Sequence, residues 1–600
     1  MKNRGFFAGF IFLIILMMIR ATYGIELTDE AYYIAEGKTV FEGNIPYAYN
    51  NSATVGMTII MTPFIYLYAN LVPNYEGFFL YMRFCYIFFH AGVLLLCFFI
   101  LKAKIDEFYA GAGISSVIIV TCVASLLNFS YNSISGLMIL ATGVVLFFVL
   151  YNETRIMMQI LGGYLAGIFS ALGVFAHPAS AICVLGFSTV LICFKNVRLL
   201  LFYIAGGISC VMICFGWFIY QSDIGVFQQG LLELINNLSG QDKPMVNTVI
   251  CNIVNSYWRL WLIMMVSMPL VALYMYAFYK RKNINFNNKV TVIYVLYVAL
   301  LLGGGYILWQ FRPEETTSAL GAAIAFDVVI LMMFFYKHKA VWLLGGQPIL
   351  FALFEAFGSV TGSPASRFAF AVPSALSIFI VSSSVLKNEK LTIEDALGKK
   401  CKVLRKFKTI CSKRISKALI ITTLIIIVVC ELNSLRYVYR DDGFFTLNYR
   451  AQHGIYKGIY STKQRIDDVW EFEQYIKSIT DKDDYVSFRD NVPVGYLMTN
   501  GNACDIRTWD CMQFSYKGRE NNIFKNDPSE LYAYYKRRGK TPDKIIYVDF
   551  GRDKYLSMDD KLYRYNEFLY NNYELSTDVF LNETFKRVVV FRKKEKNDSV

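Results

Sequence analysis

Six hundred residues, 55% of them hydrophobic and including 49 Phe and 42 Tyr, carry several apolar runs and so exclude a soluble protein built on one large core. A net charge of +13 does not point to nucleic acid, because the Lys and Arg stand beside the apolar runs. The 13 Cys lie mostly inside those runs, where a thiol packs as a small hydrophobe, and four His without any C-x-x-C give no metal-ligand spacing.

In chain order, apolar runs at 5–20, 78–101, 111–127, 133–150, 159–176, 179–194, 199–219, 259–279, 290–309, 318–336, 340–357, 367–386 and 418–432 predict membrane spans, about thirteen in all. The first, Gly5–Ile19, has the length of a signal-peptide core, but no small-x-small cleavage site follows, so it is expected to be retained. Lys2 and Arg4 place the N-terminus in the cytoplasm. The inner loops then carry Lys102 and Lys104, Arg155, Lys195 and Arg198, Lys280 to Lys289, Lys337 and Lys339, and the basic run 387–417. Outer loops hold mainly Lys38, Lys243 and Arg312. This alternation predicts a multi-pass protein of the cell membrane.

Residues 55–72 are apolar enough to span, but counting them would invert every later basic loop. They are expected instead as an amphipathic or re-entrant helix on the outer face, bent at Pro63. The first outer loop then runs over 21–77. It should contain a short helix with Thr28 as N-cap and Asp29 and Glu30 in its first turn, then a turn at Glu42-Gly43-Asn44.

Residues 433–600 differ in kind from the transmembrane part, 1–432. They are polar, with β-type runs DYVSFRD, KIIYVDF and RVVVFRK and a helical pattern near 528–538. They predict a small extracytoplasmic α/β domain, where Cys504 and Cys511 are close enough in sequence to pair. The run 387–417 reads as a basic cytoplasmic loop, one able to lie on anionic lipid.

Carboxylates at a membrane edge are costly unless hydrated, paired or used. Asp29-Glu30 sits a few residues past the first span, followed by an aromatic-rich helix with Tyr32 and Tyr33. Such a pair can serve a helix N-terminus, or can face a lipid head group and an aqueous acceptor together. The run TDEAYYIAEGKTVFEGNIPY, followed by TPFIYLYANLVPNYEGFFLYMRFCYIFFHAGVLLL, resembles the first outer loop and second span of the GT-C glycosyltransferases, in particular the protein O-mannosyltransferase and lipid A aminoarabinose transferase branch. Gly43, Pro46 and Arg83 fit that pattern, whose sharp part covers residues 26–85. The resemblance implies a GT-C-like helical membrane domain with an outer soluble domain. It implies transfer of a sugar from a polyprenyl-phosphate donor to a cell-envelope glycan, glycolipid or protein acceptor, with no role for nucleic acid.

The chemistry of the residues agrees with that reaction. An alcohol attacking an anomeric carbon must lose its proton, and Asp29 is expected to take it, with inversion, while Glu30 assists or caps. A leaving phosphate needs cations or donors. Arg83, Arg312, Arg367 and His177 are the candidates at the outer side, each equally readable as a residue reaching toward head groups or packing. Tyr32, Tyr131 and Asn132 are candidates for acceptor or sugar binding.

Two departures from the family pattern stand out. His177 replaces the Lys usual at its turn, and the turn NFSYNSISG lacks the second acid common in relatives. Glu76, Glu314 and Glu315 are the substitutes on offer. A divalent cation is possible, but no oxygen-ligand cluster specifies one. Within predicted spans, His90 and Asp327 read as hydrogen-bonding groups or parts of a proton path, as does Glu355 near an outer end. The rival readings are a flippase or transporter of lipid-linked glycans, a polysaccharide polymerase or ligase, and a non-catalytic protein on the same scaffold. The first would carry related halves and charges at the midplane, the second a large late loop.

Overall fold

The computed structural model describes residues 3–240 and 440–505 with short gaps, then 539–549 and 571–594, and single positions such as Leu343, Gln347, Val438, Thr508 and Tyr535. The spans expected after residue 240, the basic loop 387–417, Arg312, Glu314, Glu315, Asp327, Glu355, Arg367, Cys511 and the helix near 528–538 lie outside the described residues.

Ten helices occupy the first part of the described chain: α1 Asn3–Ala21, α2 Asp29–Phe41, α3 Thr58–Leu71, α4 Phe78–Lys102, α5 Glu107–Val123, α6 Tyr131–Tyr151, α7 Ile156–Ala176, α8 Ala181–Cys193, α9 Val197–Ser222 and α10 Ile224–Gly240. Four of them, α4, α6, α7 and α9, are long and apolar enough to cross a membrane. Burial separates their roles. Helix α6 is buried along nearly its whole length, whereas α9 turns Leu201, Ile208, Met212, Ile213 and Tyr220 outward and α1 does the same with Ile11, Phe12 and Ile19. Apolar side chains exposed in rows on long helices belong to a lipid-facing perimeter.

Close packing at α7 and α9 depends on missing side chains. A Cβ on Gly167 would lie 2.0 Å from the Tyr203 carbonyl oxygen, and one on Gly206 would lie 2.0 Å from the Tyr164 carbonyl oxygen. The two backbones touch, as small-residue helix pairs in membranes do.

Helix α2 begins where the sequence places it, but its cap differs from expectation. The Thr28 side chain makes no cap hydrogen bond. Its hydroxyl bonds Glu26, whose carboxylate accepts from the backbone N–H of Thr28 at 3.0 Å and of Glu30 at 2.6 Å. The longer acid reaches the orphan donors that the threonine leaves. The turn after α2 is as predicted, with Gly43 at φ +92° and Asn44 N–H donating to the Thr39 carbonyl. Helix α3 contains Pro63; it buries Met61, Ile65 and Tyr68 against the protein and leaves Tyr66, Leu67 and Leu71 exposed.

The polar C-terminal part is an α/β domain. Strands β1 Tyr449–Arg450 and β2 Tyr460–Ser461 pair antiparallel, and α11 Lys463–Ile479 follows, capped by the Thr462 hydroxyl. A five-stranded sheet is built from β3 Tyr485–Arg489, β4 Asn502–Ala503, β5 Lys544–Asp549, β6 Tyr573–Phe580 and β7 Arg587–Lys593, in the order β4-β3-β5-β7-β6. Its β3 is parallel to β4 and β5, while β7 is antiparallel to β5 and β6. The three expected β runs are β3, β5 and β7. Phe472 of α11 stacks on Phe585 at 3.9 Å, fixing helix to sheet.

Substituting Gly167 or Gly206 by Ala should separate α7 from α9 and destabilise the chain by about 1–3 kcal/mol. A melting temperature in detergent equal to wild type for both variants would contradict the close approach.

Candidate active site

The segment that joins α1 to α2 is tied down by one arginine. Arg83, in the second turn of α4, donates from Nε to Glu30 Oε1 at 2.7 Å and from Nη2 to Glu30 Oε2 at 2.6 Å. Its remaining donors reach the carbonyls of Ala21 at 2.7 Å, Tyr23 at 3.3 Å and Gly24 at 2.8 Å. Both side chains are buried. A buried ion pair is tolerated only when its lone pairs and protons are taken up, and this one takes them up completely around the guanidinium. Asn128, in the turn before α6, adds a bond from Nδ2 to Glu30 Oε1 at 3.1 Å. Glu30 therefore joins the end of α1, the start of α2, α4 and the α5–α6 turn. In this structure the Arg83 fork is filled by a carboxylate and by backbone, and its place at a donor phosphate stays a proposal.

Asp29, one residue earlier, points the other way. Its side chain is 24% exposed and its Oδ2 lies 3.0 Å from Nη2 of Arg440. Arg440 also reaches Glu26 Oε1 at 3.5 Å and donates to the Thr28 hydroxyl. The adjacent acids are thus sorted by helix geometry, Glu30 into the protein and Asp29 toward the surface. Glu26 is fully buried beneath them. Burial, and then the charge of Asp29, raise its carboxyl above the ordinary carboxylate range, while the bonds from Thr28 and Glu30 and the charge of Arg440 pull the other way.

The C-terminal domain closes on α2 from above, at both ends. At the first end, Tyr460 bridges to Tyr23, with Gly24 N–H donating to the Tyr460 carbonyl at 2.9 Å and Tyr460 N–H to Thr22 at 2.7 Å. Asp441 accepts from Ile25 N–H at 2.7 Å and Arg465 donates to the Ile25 carbonyl at 3.0 Å. The Tyr456 hydroxyl donates to the Glu26 carbonyl at 2.6 Å, its ring stacked on Phe79 at 4.0 Å. Burial, with Glu30 and Glu26 nearby, holds that phenol well above its usual range, so it stays a donor. At the other end, Lys38 Nζ donates to the Tyr496 carbonyl at 3.0 Å and pairs with Glu42 at 2.6 Å. Glu36 accepts from Thr508 N–H at 2.7 Å, and Asn44 donates to the Asp505 carbonyl at 3.1 Å. Asp505 is itself held by Arg489 at 3.2 Å and by the Tyr535 hydroxyl at 2.5 Å.

Beside Asp29 runs a line of rings. Tyr33 meets Tyr131 edge-on at 5.5 Å, and Tyr131 meets His177 at 4.9 Å. His177 is buried in the turn before α8, and burial pushes its imidazole down to about 4. Burial thus favours the neutral imidazole, and a role for His177 at a phosphate stays a proposal. Tyr32 turns aside: its hydroxyl bonds Ser52 Oγ at 2.9 Å and Thr54 Oγ1 at 3.3 Å and fixes the loop before α3. Asn132 is half-buried in the first turn of α6. Glu76, offered as a substitute acid, pairs with Lys457 at 3.1 Å. The thiol of Cys504 faces the Lys540 carbonyl at 3.3 Å. Among the described residues no group of three or more His, Cys, Asp or Glu is arranged to hold a metal ion.

Sequence reasoning passed over Glu26, Asn128 and Arg440. Glu26 carries a readable signal, an acid just ahead of a helix start. Arg440 carries none, since 411 residues of chain separate it from Asp29.

Helices of membrane length, a carboxylate at the start of α2 and an α/β domain seated on that helix define a helical membrane protein with a composite site. No family model matches the chain, and no curated protein matches it. Among solved structures it is similar to the archaeal oligosaccharyltransferase AglB from Archaeoglobus fulgidus, solved with an inhibitory peptide and a dolichol-phosphate: TM-score 0.45, 10% identity, 91% of this chain and 70% of that one. It is also similar to the Archaeoglobus fulgidus oligosaccharyltransferase in the apo form, with TM-score 0.46, 11% identity, and 91% and 69% coverage. Overlaps of this size carry no argument about what the chain does.

Glu30→Gln and Arg83→Gln should each destabilise the chain by about 3–5 kcal/mol, because each leaves a buried charge without its partner. The double variant should lose less than the sum; strict additivity in a thermal or denaturant cycle would dissolve the pair as a unit. For Glu26 the folded chain favours the protonated form. Its support is therefore complete below about pH 4.5, its unfolded value, and is withdrawn as pH rises through the higher folded value. Glu26→Gln should flatten the fall in melting temperature between acid and neutral pH, and an unchanged slope would refute that assignment.

Proposed function

We propose that this chain is a membrane glycosyltransferase of GT-C type that moves a sugar from a polyprenyl-phosphate donor to a hydroxyl acceptor on the extracytoplasmic face, with inversion and with Asp29 as the base. The observation that supports this reading best is the division of labour between neighbouring acids. Glu30 is locked between α1, α4 and the α5–α6 turn, and this holds Asp29 partly exposed at the head of α2. A base must be fixed in place and still be reachable, and that pairing of properties suits proton abstraction from an alcohol.

In this reading the N-terminus is cytoplasmic and the C-terminal domain extracytoplasmic. The ring line Tyr33, Tyr131 and His177 offers faces and neutral donors to a sugar. The acceptor is a cell-envelope glycan, a glycolipid or a protein. Arg312 and Arg367 stay as candidates for the donor phosphate from their place in the sequence. A non-catalytic reading has one observation in its favour, the ion pair that holds Asp29 to Arg440.

Membranes from cells expressing wild type or Asp29→Asn should differ in their extracted glycans, with transfer reduced by about 10²-fold or more in the variant. Matching glycan profiles at equal protein level would remove Asp29 from the chemistry and favour the non-catalytic reading.

A further inference from the structure

We propose that Arg440 is the residue that captures the phosphate of the ligand, and that in its absence Asp29 occupies the guanidinium. This rests on the lipid-phosphate reading above and adds a residue and an order of events to it.

Two arginines touch the acids of α2, and they differ in exposure. Arg83 is buried and divides its donors between Glu30 and three carbonyls. Arg440 is 36% exposed, and its acidic partner Asp29 is open to solvent as well. The chain holds Arg440 there in a left-handed backbone conformation, φ +53°, which side-chain-bearing residues seldom adopt. Two further arginines stand on the residues that flank it. Arg465 donates to the Arg440 carbonyl at 3.0 Å, and Arg20, in the last turn of α1, lies 5.7 Å over the Phe444 ring. Three arginines therefore border the level at which the first apolar helix ends.

A guanidinium fork binds phosphate oxygens as it binds a carboxylate, through paired charge-assisted hydrogen bonds. Phosphate and Asp29 must then compete for the same N–H groups of Arg440. Arrival of the phosphate ester turns the fork away from Asp29 and leaves that carboxylate to meet an alcohol. The base is released only when the donor is in place.

Full-length protein in detergent, as wild type, Asp29→Asn, Arg440→Ala and Arg440→Lys, is titrated with farnesyl phosphate, farnesol and inorganic phosphate. Wild type should bind farnesyl phosphate and not farnesol. Arg440→Ala should weaken binding about tenfold or more, with Arg440→Lys between. Asp29→Asn should tighten it several-fold, since the competing charge is gone; a purely structural ion pair predicts no such gain. The same pattern with inorganic phosphate would support capture with free phosphate as the source. Binding that is unchanged or weaker in Asp29→Asn, or unchanged in Arg440→Ala, overturns the proposal while leaving the donor reading in place. Wild type that binds no phosphate ligand overturns both. Should Arg440→Ala fail to fold, the Asp29→Asn result decides alone, because that variant keeps Arg440.

Discussion

The structure around α2 depends on a charge placed where water cannot reach it. A carboxylate taken out of water costs several kcal/mol unless its oxygens are met. Glu30 is met by Arg83 and Asn128, and Arg83 in turn fastens Ala21, Tyr23 and Gly24. The loop cannot shift without leaving one of these groups unpaired. That intolerance, more than any attraction the pair supplies, gives the loop a single conformation. The exposed neighbour Asp29 inherits its position from it.

The domain that follows the predicted spans adds a second restraint of a different sort. At the first end Tyr460, Asp441 and Arg465 hold the backbone of the residues that lead into α2; at the other the backbone of Tyr496, Asp505 and Thr508 meets the buried side chains of Lys38, Asn44 and Glu36. Arg440 belongs to the same grip. The helix bearing the candidate base is therefore shared property of two parts of the chain, and neither part alone contains the whole site.

What could be read from the sequence follows from how local each signal is. Helix α2, its following turn and α3 were legible because capping acids, a Gly at positive φ and apolar periodicity are encoded within a few residues. Strands β3, β5 and β7 announced themselves as β-branched, apolar runs. Strand β6 did not: Tyr573–Phe580 is an edge strand with mostly exposed side chains and a bulge between Leu575 and Thr577, so neither hydrophobic run nor clean alternation marks it. Helix α11 was missed because charged and polar residues together fill most of Lys463–Ile479 and only a narrow stripe is buried. Asp29 and Glu30 were found as a pair, but which of them faces out depends on partners 53 and 411 positions away in the chain, Arg83 and Arg440. His177 was legible in its place and not in its charge, because charge depends on burial, which no short motif records.

Helix α3 has a consequence for how a substrate arrives. It packs against α2 through Met61 and Ile65 and against α4 through Tyr68, while turning Tyr66, Leu67 and Leu71 outward. An oily wall therefore stands next to the helix that bears the candidate base. A long-chain molecule sliding along that wall keeps its tail in hydrocarbon throughout and avoids a cost of about 0.8 kcal/mol for each methylene drawn into water. In the proposed reaction, encounter then takes place in two dimensions, and occupancy follows the carrier's mole fraction in the leaflet, not its concentration in the surrounding fluid.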